Sequence, residues 1–263
     1  MKKIVFFIAW VTFSAIACAY DNTYAIIIGV ADYEKYSADD GDLKYTINDA
    51  RLFYEFLKSG KGGSVPEENI VYLTDARAYK ANIIAKGKAL FAKAKKNDRV
   101  IFFFSGHGGK GCFVPYDAGE YGENYLYFSE IKSIFRCAES NTKLLFGDAC
   151  FSGGMKEDKS KNIQKNLQKE IKASSKMNIA VMMSCRGNET SLESNGLEQG
   201  LFTYYLIKGL GGLANSDDNK FITIKELFYY VYQKTTEWAA SSKHSQTPEL
   251  FGNFDLRLIV ANM

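Results

Sequence analysis

The sequence predicts an α/β fold with a mostly parallel central sheet and helices on both faces. Three observations support this prediction: five apolar runs, amphipathic stretches between them, and a length of 263 residues that suits one large core. Strands that alternate with helices pair in parallel, and continuous apolar runs are typical of strands covered on both faces. Hydrophobic residues at 46% and charged residues at 24% exclude a disordered or fibrous chain.

The predicted elements follow one another in a regular order along the chain. The five predicted strands lie at 24–30, 70–73, 99–104, 143–146 and 179–183. The helical spacing of apolar side chains predicts helices at 46–57, 81–95, from 129 onward, 200–210 and 223–240. Thr223 and Glu226 form a capping box at the start of the last helix. A polar segment at 156–178 contains seven lysines and interrupts the alternation, so we expect a mobile insertion there.

The N-terminus has the order of a secretory signal peptide. A positively charged start, a run of 14 apolar or small residues and an Ala-Cys-Ala end follow one another. The run is too short for a membrane-spanning helix, which needs about 20 residues. We therefore expect removal of residues 1–19, and a single domain at 20–263 that is secreted or periplasmic. The alternative is a loose lipoprotein box, with Cys18 lipidated and the protein anchored to the cell envelope.

Charge and metal-ligand content exclude several classes of partner. The net charge is +3, from 33 basic and 30 acidic residues, which is too balanced for nucleic-acid binding. The chain has no Cys-x-x-Cys motif and only two histidines, so we expect no zinc site. His244 lies among serines and a lysine and is interpreted as a solvated loop residue. Whether Cys112, Cys137 and Cys185 form a disulfide is open at this point.

Two glycine-rich loops directly follow two of the predicted strands. One reads Ser-Gly-His-Gly-Gly at 105–109, and the other reads Asp-Ala-Cys-Phe-Ser-Gly-Gly at 148–154. The carboxyl ends of neighbouring parallel strands meet at one edge, so we expect His107 and Cys150 to lie together. An imidazole stabilises a nearby thiolate and then donates a proton to a leaving amine. Backbone N–H groups of Gly108 and Cys150 would bind the oxyanion of an acyl intermediate.

These two motifs resemble those of the caspase-like cysteine peptidases, specifically the metacaspase and prokaryotic caspase-like branch. Further segments similar to the same family lie at 25–30, 43–50, 184–191, 200–203 and 246–248. The resemblance implies a caspase-like three-layer sandwich that cleaves peptide or protein substrates. It also implies that Cys150 is the nucleophile and His107 the general acid and base. Two alternatives come from other classes. One is a catalytically silent caspase-like adaptor, because the fold also serves in assembly and signalling, and the other is a cell-envelope binding lipoprotein tethered through Cys18.

One difference from true caspases bears on specificity. Those enzymes carry Gln-Ala-Cys and an arginine-lined pocket for aspartate, whereas here Asp148 stands two residues before the cysteine. In metacaspases the residues that match Asp49, Ser105 and Asp148 shape a pocket for lysine or arginine. Two buried carboxylates repel each other unless a cation enters, and one opposite charge at about 4 Å contributes on the order of 4 kcal/mol. The resemblance therefore implies cleavage after lysine or arginine, with self-cleavage expected in the lysine-rich stretch 156–176.

We expect no required cofactor, although calcium dependence stays open. The segment 215–226 has oxygen-bearing side chains at EF-hand positions 1, 3, 5 and 12, but Lys220 replaces the glycine at position 6. We interpret this segment as a turn followed by a helix cap. Metacaspases often bind calcium through an acidic cluster elsewhere, and its remnants here would be Asp117, Glu123 and Glu157. The paired aspartates typical of that cluster do not accompany these three residues.

Overall fold

A six-stranded sheet and five α-helices organise the residues described by the computed structural model, namely 20–36, 42–109, 111–119, 121–149, 178–187 and 189–263. In chain order the strands are β1 (Thr23–Gly29), β2 (Ile70–Thr74), β3 (Arg99–Ser105), β4 (Gly108–Gly109), β5 (Cys112–Phe113), β6 (Leu126–Tyr127), β7 (Thr142–Asp148), β8 (Ile179–Met183), β9 (Glu193–Ser194), β10 (Gln199–Gly200), β11 (Phe221–Thr223), β12 (Glu249–Gly252) and β13 (Ile259–Asn262). The helices are α1 (Thr46–Lys58), α2 (Lys80–Phe91), α3 (Phe128–Phe135), α4 (Leu201–Lys208) and α5 (Ile224–Ser241). The predicted signal peptide, Cys150 and the predicted insertion up to residue 177 lie outside the described residues.

The central sheet has the spatial order β12-β8-β7-β3-β1-β2. All pairs from β8 to β2 are parallel, and β12 pairs antiparallel with β8 at one edge. This topology confirms the predicted mostly parallel α/β sheet. The five predicted strands are all present, whereas the edge strand β12 was not predicted. Every residue of β3 is buried, as expected for a strand with helices on both of its faces.

Alternate residues of β3 enter two separate cores, which gives the predicted three-layer sandwich. Phe102 and Phe104 face the core formed with α2 and α3. Phe103 faces the core formed with α1, α4 and α5, where Phe53 stacks on it with ring centroids 4.4 Å apart. Full burial of a side chain of this size stabilises the fold by about 2–3 kcal/mol. The sheet is therefore a rigid platform for the loops at its carboxyl edge.

Two helices end earlier than their apolar spacing predicted. The chain after α2 tightens, because the amide N–H groups of Lys93 and Ala94 donate to carbonyls three residues back rather than four. Ala94 is buried, as its spacing indicated, although it lies outside the helix. After α4 the chain widens into the turn Gly209–Leu213, where Gly212 has a φ of +123° that glycine adopts without strain.

The capping box predicted at the start of α5 is present. The Glu226 N–H donates to Thr223 Oγ1 at 3.3 Å, and the Thr223 N–H donates to Glu226 Oε2 at 2.9 Å. The hydroxyl of Ser216 donates to Glu226 Oε1 at 2.8 Å. The carboxylate at the last EF-hand-like position therefore caps a helix, as interpreted from the sequence. His244 is exposed just beyond the same helix.

Three cysteines lie within the described residues, and none of them is in a disulfide. Cys112, Cys137 and Cys185 form no disulfide with one another, which answers the question left open by the sequence. Burial raises the pKa of the Cys112 thiol to about 12, so this thiol is inert near neutral pH. Within the same described part, no helix combines the length and apolarity needed to cross a membrane.

Candidate active site

The carboxyl ends of β1, β3 and β7 lie side by side at one edge of the sheet. Gly29 pairs with Ser105, and Ser105 pairs with Asp148, so the last residues of three strands are neighbours. Neighbouring strands are about 4.8 Å apart. The amide N–H of Gly106 also donates to the carbonyl oxygen of Asp148 at 3.1 Å. The histidine loop and the cysteine loop thus begin next to each other, although Cys150 itself lies outside the described residues.

Tyr33 anchors the start of the histidine loop. The backbone N–H of His107 donates to Tyr33 Oη at 2.6 Å, and the two rings lie 5.0 Å apart with a tilt of 31°. The carbonyl oxygen of His107 accepts a hydrogen bond from the Val114 N–H at 3.0 Å. These contacts fix the backbone on both sides of the His107 Cα atom and leave the imidazole half-buried at the sheet edge.

Gly108 occupies a position in the following hairpin that suits an oxyanion donor. In the β4–β5 pair, Gly108 lies opposite Phe113, one step beyond the bonded pair His107 and Val114. Antiparallel ladders alternate between bonded and non-bonded pairs, so the Gly108 N–H points away from β5. An oxyanion donor needs this kind of outward-facing N–H group.

Asp49 and Asp148 approach each other around a glycine. Asp49 Oδ2 accepts a hydrogen bond from Ser105 Oγ at 2.9 Å, and its Oδ1 accepts from the Gly200 N–H at 2.8 Å. A Cβ atom added to Gly200 would collide with Oδ2 of both aspartates. Both carboxyl groups are buried. The structure therefore brings together the three residues that the sequence predicted for a cation pocket, and adds Gly200 between them.

Asp148 receives more hydrogen bonds than Asp49 does. Its Oδ1 accepts from Ser191 Oγ at 2.5 Å, and its Oδ2 accepts from the N–H and the hydroxyl of Thr203 at 3.1 and 2.7 Å. Burial raises the pKa of Asp148, and these hydrogen bonds oppose that shift. Burial and the neighbouring negative charge of Asp148 raise the pKa of Asp49 well above its usual value. Of the two carboxyl groups, Asp49 therefore takes up a proton more readily than Asp148 does.

A third carboxylate lies at the rim of this pair. Glu193 in β9 pairs with Gly200 in β10, and its side chain is exposed. Its carboxylate oxygens accept hydrogen bonds from the N–H groups of Lys44 and Tyr45 at 3.2 and 2.8 Å. The charge of Glu193 also contributes to raising the pKa of Asp49. Two buried carboxyl groups and one exposed carboxylate thus lie close together at this edge of the sheet.

Sequence reasoning missed the residues that hold these carboxylates in place. Ser191, Gly200, Thr203 and Gln246 all fall in segments whose resemblance to the family is apparent, but the segments alone do not assign them roles. Their partners lie 43–151 residues away in the chain. A short polar side chain embedded in an apolar stretch, as Thr203 is, was the available signal.

The described acidic residues do not assemble a metal site. No group of three or more His, Cys, Asp or Glu side chains in the described ranges has an arrangement that could hold a metal ion. Asp117 Oδ1 accepts a hydrogen bond from the Lys80 N–H at 2.8 Å, and Glu123 Oε2 accepts from the Tyr121 N–H at 3.1 Å. Glu157 lies outside the described residues. Two of the three suggested calcium remnants are thus bound to backbone N–H groups.

A parallel sheet with the histidine loop at one edge, beside the strand whose end precedes Cys150 in the sequence, is typical of a caspase-like peptidase. Residues 22–257 match the family model described as Caspase domain, and the chain belongs to that family. The resemblance noted in the sequence motifs is confirmed across nearly the whole described chain.

Three curated relatives are named as proteases or metacaspases. The chain is 25% identical over 260 residues to a probable protease of a Desulfuromonadales bacterium, covering 87% of this chain and 31% of the relative. It is 36% identical over 109 residues to Metacaspase-1A of Aspergillus oryzae, covering 39% of this chain and 25% of the relative. It is 29% identical over 115 residues to Metacaspase-1 of Ajellomyces capsulatus, covering 41% and 31%. The chain therefore spans about a quarter to a third of the length of these relatives.

A solved structure from Geobacter sulfurreducens shares the fold. The two align with a TM-score of 0.56 at 15% sequence identity, covering 88% of this chain and 93% of that chain. At this identity the likeness establishes the fold alone. The family and the named relatives support a cysteine peptidase.

Proposed function

We propose that the protein is an exported cysteine endopeptidase that cleaves peptide or protein substrates after lysine or arginine. The observation that carries this proposal is the convergence of Asp49 and Asp148 on Gly200, beside the strand that leads into His107. A buried pair of carboxylates has an unfavourable free energy when it is empty and fully ionised, and a cation relieves it. The pair lies at the start of the loop that carries Cys150.

The proposed reaction is acyl transfer through a Cys150–His107 dyad. The thiol gives its proton to the His107 imidazole, and the sulfur forms a bond to the scissile carbonyl carbon. The N–H groups of Gly108 and Cys150 hold the oxyanion, which contributes about 3–4 kcal/mol per donor in other enzymes. The imidazolium then protonates the leaving amine as the C–N bond breaks. Water, deprotonated by His107, hydrolyses the thioester and regenerates the thiol.

Selectivity in this proposal comes from charge. The positive side chain of the substrate enters beside Asp148, which already carries a negative charge, and displaces the proton of Asp49. Ser105 and Gly200 continue to donate to Asp49 and hold its oxygens toward the cation. An aspartate side chain in the same place meets like charge and is rejected by several kcal/mol. The proposed specificity is therefore opposite to that of an arginine-lined pocket.

A substrate panel with matched variants tests the proposed function. Fluorogenic peptides that differ only in the residue before the cut, namely Arg, Lys, Gln and Asp, are assayed with the wild type and with Cys150→Ala, His107→Ala and His244→Ala. We expect cleavage after Arg and Lys only, and a loss of at least about 10³-fold in both dyad variants. The exposed His244 is the matched histidine control and should retain wild-type activity. Preference for aspartate, or unchanged activity of Cys150→Ala, would contradict the proposal.

Self-cleavage in the stretch 156–176 is part of the same proposal. Its composition supports it, because seven lysines offer many bonds of the proposed specificity. Mass spectrometry of purified wild type and Cys150→Ala should show fragments ending at these lysines in the wild type only. Equal fragmentation of the two proteins would exclude self-processing.

Export and the absence of a required cofactor are also proposed. The ring of Tyr20, the residue after the predicted cleavage point, stacks on the Arg99 guanidinium at 3.9 Å, so this residue is packed against the domain. The intact mass of the protein recovered from the cell envelope and the medium distinguishes cleavage after Ala19 from lipidation at Cys18. Equal activity in calcium and in a calcium chelator is expected, and a strict calcium requirement would contradict a cofactor-free reaction.

A further inference from the structure

A buried glutamine connects the segment before β12 with the loop after β8, which borders the candidate site. Gln246, which is 1% exposed, lies between α5 and β12. Its Oε1 accepts a hydrogen bond from the Leu192 N–H at 3.0 Å. Its Nε2 donates to the carbonyl oxygen of Ser184 at 3.1 Å and to Ser191 Oγ at 3.3 Å. Both ends of the amide are used, so an apolar side chain here would leave several buried groups unpaired.

The first branch leads from Gln246 to the carboxylate of Asp148. Ser191 Oγ accepts a hydrogen bond from Gln246 Nε2 and donates one to Asp148 Oδ1 at 2.5 Å. A hydroxyl has a single proton to donate. Because Gln246 occupies an acceptor position of the hydroxyl, the Ser191 proton is directed to Asp148. Gln246 therefore orients one of the hydrogen bonds that favour the ionised form of Asp148.

The second branch leads from Gln246 to the residue before the proposed nucleophile. Ser184 Oγ lies 3.2 Å from the amide nitrogen and 3.3 Å from the carbonyl oxygen of Ala149, so it binds both polar groups of that residue. Ala149 is followed directly by Cys150 in the chain. The carbonyl group of Ser184 accepts from Gln246, which holds the backbone that carries this hydroxyl.

We infer that Gln246 is a positioning residue that fixes both Asp148 of the proposed specificity pocket and the backbone at Ala149, which precedes the proposed nucleophile. This inference rests on the proposed function. The Ser191 branch sets the ionisation and direction of Asp148 and hence the affinity for the basic side chain. The Ser184 branch sets the backbone at Ala149 and hence the reactivity of the thiol.

Single substitutions in the two branches separate these effects. For peptides with arginine before the cut, Ser191→Ala should raise KM about 10-fold and leave the rate of iodoacetamide alkylation of the active-site thiol unchanged. Ser184→Ala should lower kcat and that alkylation rate about 10-fold with little change in KM. Gln246→Met should produce both changes at once. Gln233→Met, on the exposed side of α5, is the matched control and should behave as the wild type.

The pH profile of a further variant distinguishes positioning from general loss of packing. In Gln246→Glu an ionised carboxylate accepts from Leu192 but has no proton for Ser184 or Ser191. Protonation restores one donor, so the activity of this variant relative to wild type should rise as the pH falls. A deficit that is independent of pH would contradict the positioning role.

The outcomes also separate this inference from the function on which it rests. If the wild type cleaves after arginine while folded Ser191→Ala and Ser184→Ala keep wild-type KM and alkylation rates, the inference is wrong. Thermal unfolding establishes whether each variant is folded, and the two serine variants decide the matter if Gln246→Met does not fold. If the wild type does not cleave after lysine or arginine, the proposed function fails. The alkylation rates of Ser184→Ala and Gln246→Met then still test the second branch.

Discussion

The two sides of the acidic pocket differ in how the protein treats their carboxylates. On the β7 side, Asp148 accepts three hydrogen bonds from Ser191 and Thr203, which oppose the effect of burial on its pKa. On the α1 side, Asp49 accepts two, and the charge of Asp148 adds to burial in raising its pKa. The hydrogen bonds thus favour the ionised form at Asp148 more than at Asp49. In the proposed function, Asp148 attracts the cation of the substrate, and Asp49 releases a proton when that cation enters.

Removing the charged side of the pocket should have the largest effect. In Asp148→Asn the amide keeps an acceptor but has no charge to pair with the substrate cation. We expect kcat/KM for arginine peptides to fall on the order of 10²–10³-fold, the range seen when a buried charge loses its partner. Steady-state kinetics measure this, with the exposed Asp255→Asn as the matched control. A loss below about 5-fold would contradict the task assigned to Asp148.

Filling the space between the two carboxylates should have the next largest effect. The methyl group of Gly200→Ala collides with both Asp49 and Asp148, so the pocket must open. We expect KM for arginine peptides to rise about 10- to 100-fold and the free energy of unfolding to fall by about 1–3 kcal/mol. Gly211→Ala is the control, because its added methyl group meets only Phe56, at 3.8 Å. A wild-type KM in Gly200→Ala would show that the carboxylates do not line the pocket.

The raised pKa of Asp49 predicts a distinct pH dependence of the free energy of unfolding. The folded protein holds the pKa of Asp49 above its value in the unfolded chain. The contribution of protonated Asp49 to the free energy of unfolding is therefore fully present below the unfolded pKa. It is lost as the pH rises through the raised pKa. Asp49→Asn cannot ionise, so its free energy of unfolding relative to wild type should increase as the pH rises from the unfolded pKa to the raised pKa. The same variant should have a kcat/KM for arginine peptides about 10-fold below wild type.

Thermal unfolding across acid to neutral pH, with wild type and Asp49→Asn in parallel, measures this difference. Asp32→Asn, an exposed aspartate in the loop after β1, serves as control and should follow the wild type. A constant difference between the two unfolding curves at all pH values would contradict the assignment of the proton to Asp49.

The exposed rim should contribute least. Glu193 is solvated, and exposed charges contribute about 0–1 kcal/mol and are screened by salt. We expect Glu193→Gln to lower kcat/KM for arginine peptides less than about 3-fold, and the difference to disappear at high ionic strength. Assays at low and high salt measure it. An effect as large as that of Asp148→Asn would contradict the distinction between the buried aspartates and the exposed Glu193.

The strands and the two reactive loops could be predicted from local sequence signals. Continuous apolar runs end at polar, glycine-rich segments, and parallel pairing then brings Ser105 and Asp148 to one edge. The edge strand β12 could not be predicted, because its four residues are half-buried or exposed and lack a regular alternation. Thr203, Ser191 and Gln246 could not be assigned either. Their roles are hydrogen bonds to distant segments, which exist only once α4 and the loop after β8 pack beside β7.

Cleavage of paired arginine and citrulline peptides tests whether the proposed pocket selects the positive charge of the substrate side chain. Citrulline has nearly the shape of arginine and carries no charge, so the comparison isolates the pocket's response to a cation. We expect wild type to prefer the arginine peptide over the citrulline peptide on the order of 10²–10³-fold in kcat/KM, and this preference to nearly vanish in Asp148→Asn. Equal cleavage of the two peptides by the wild type would contradict it.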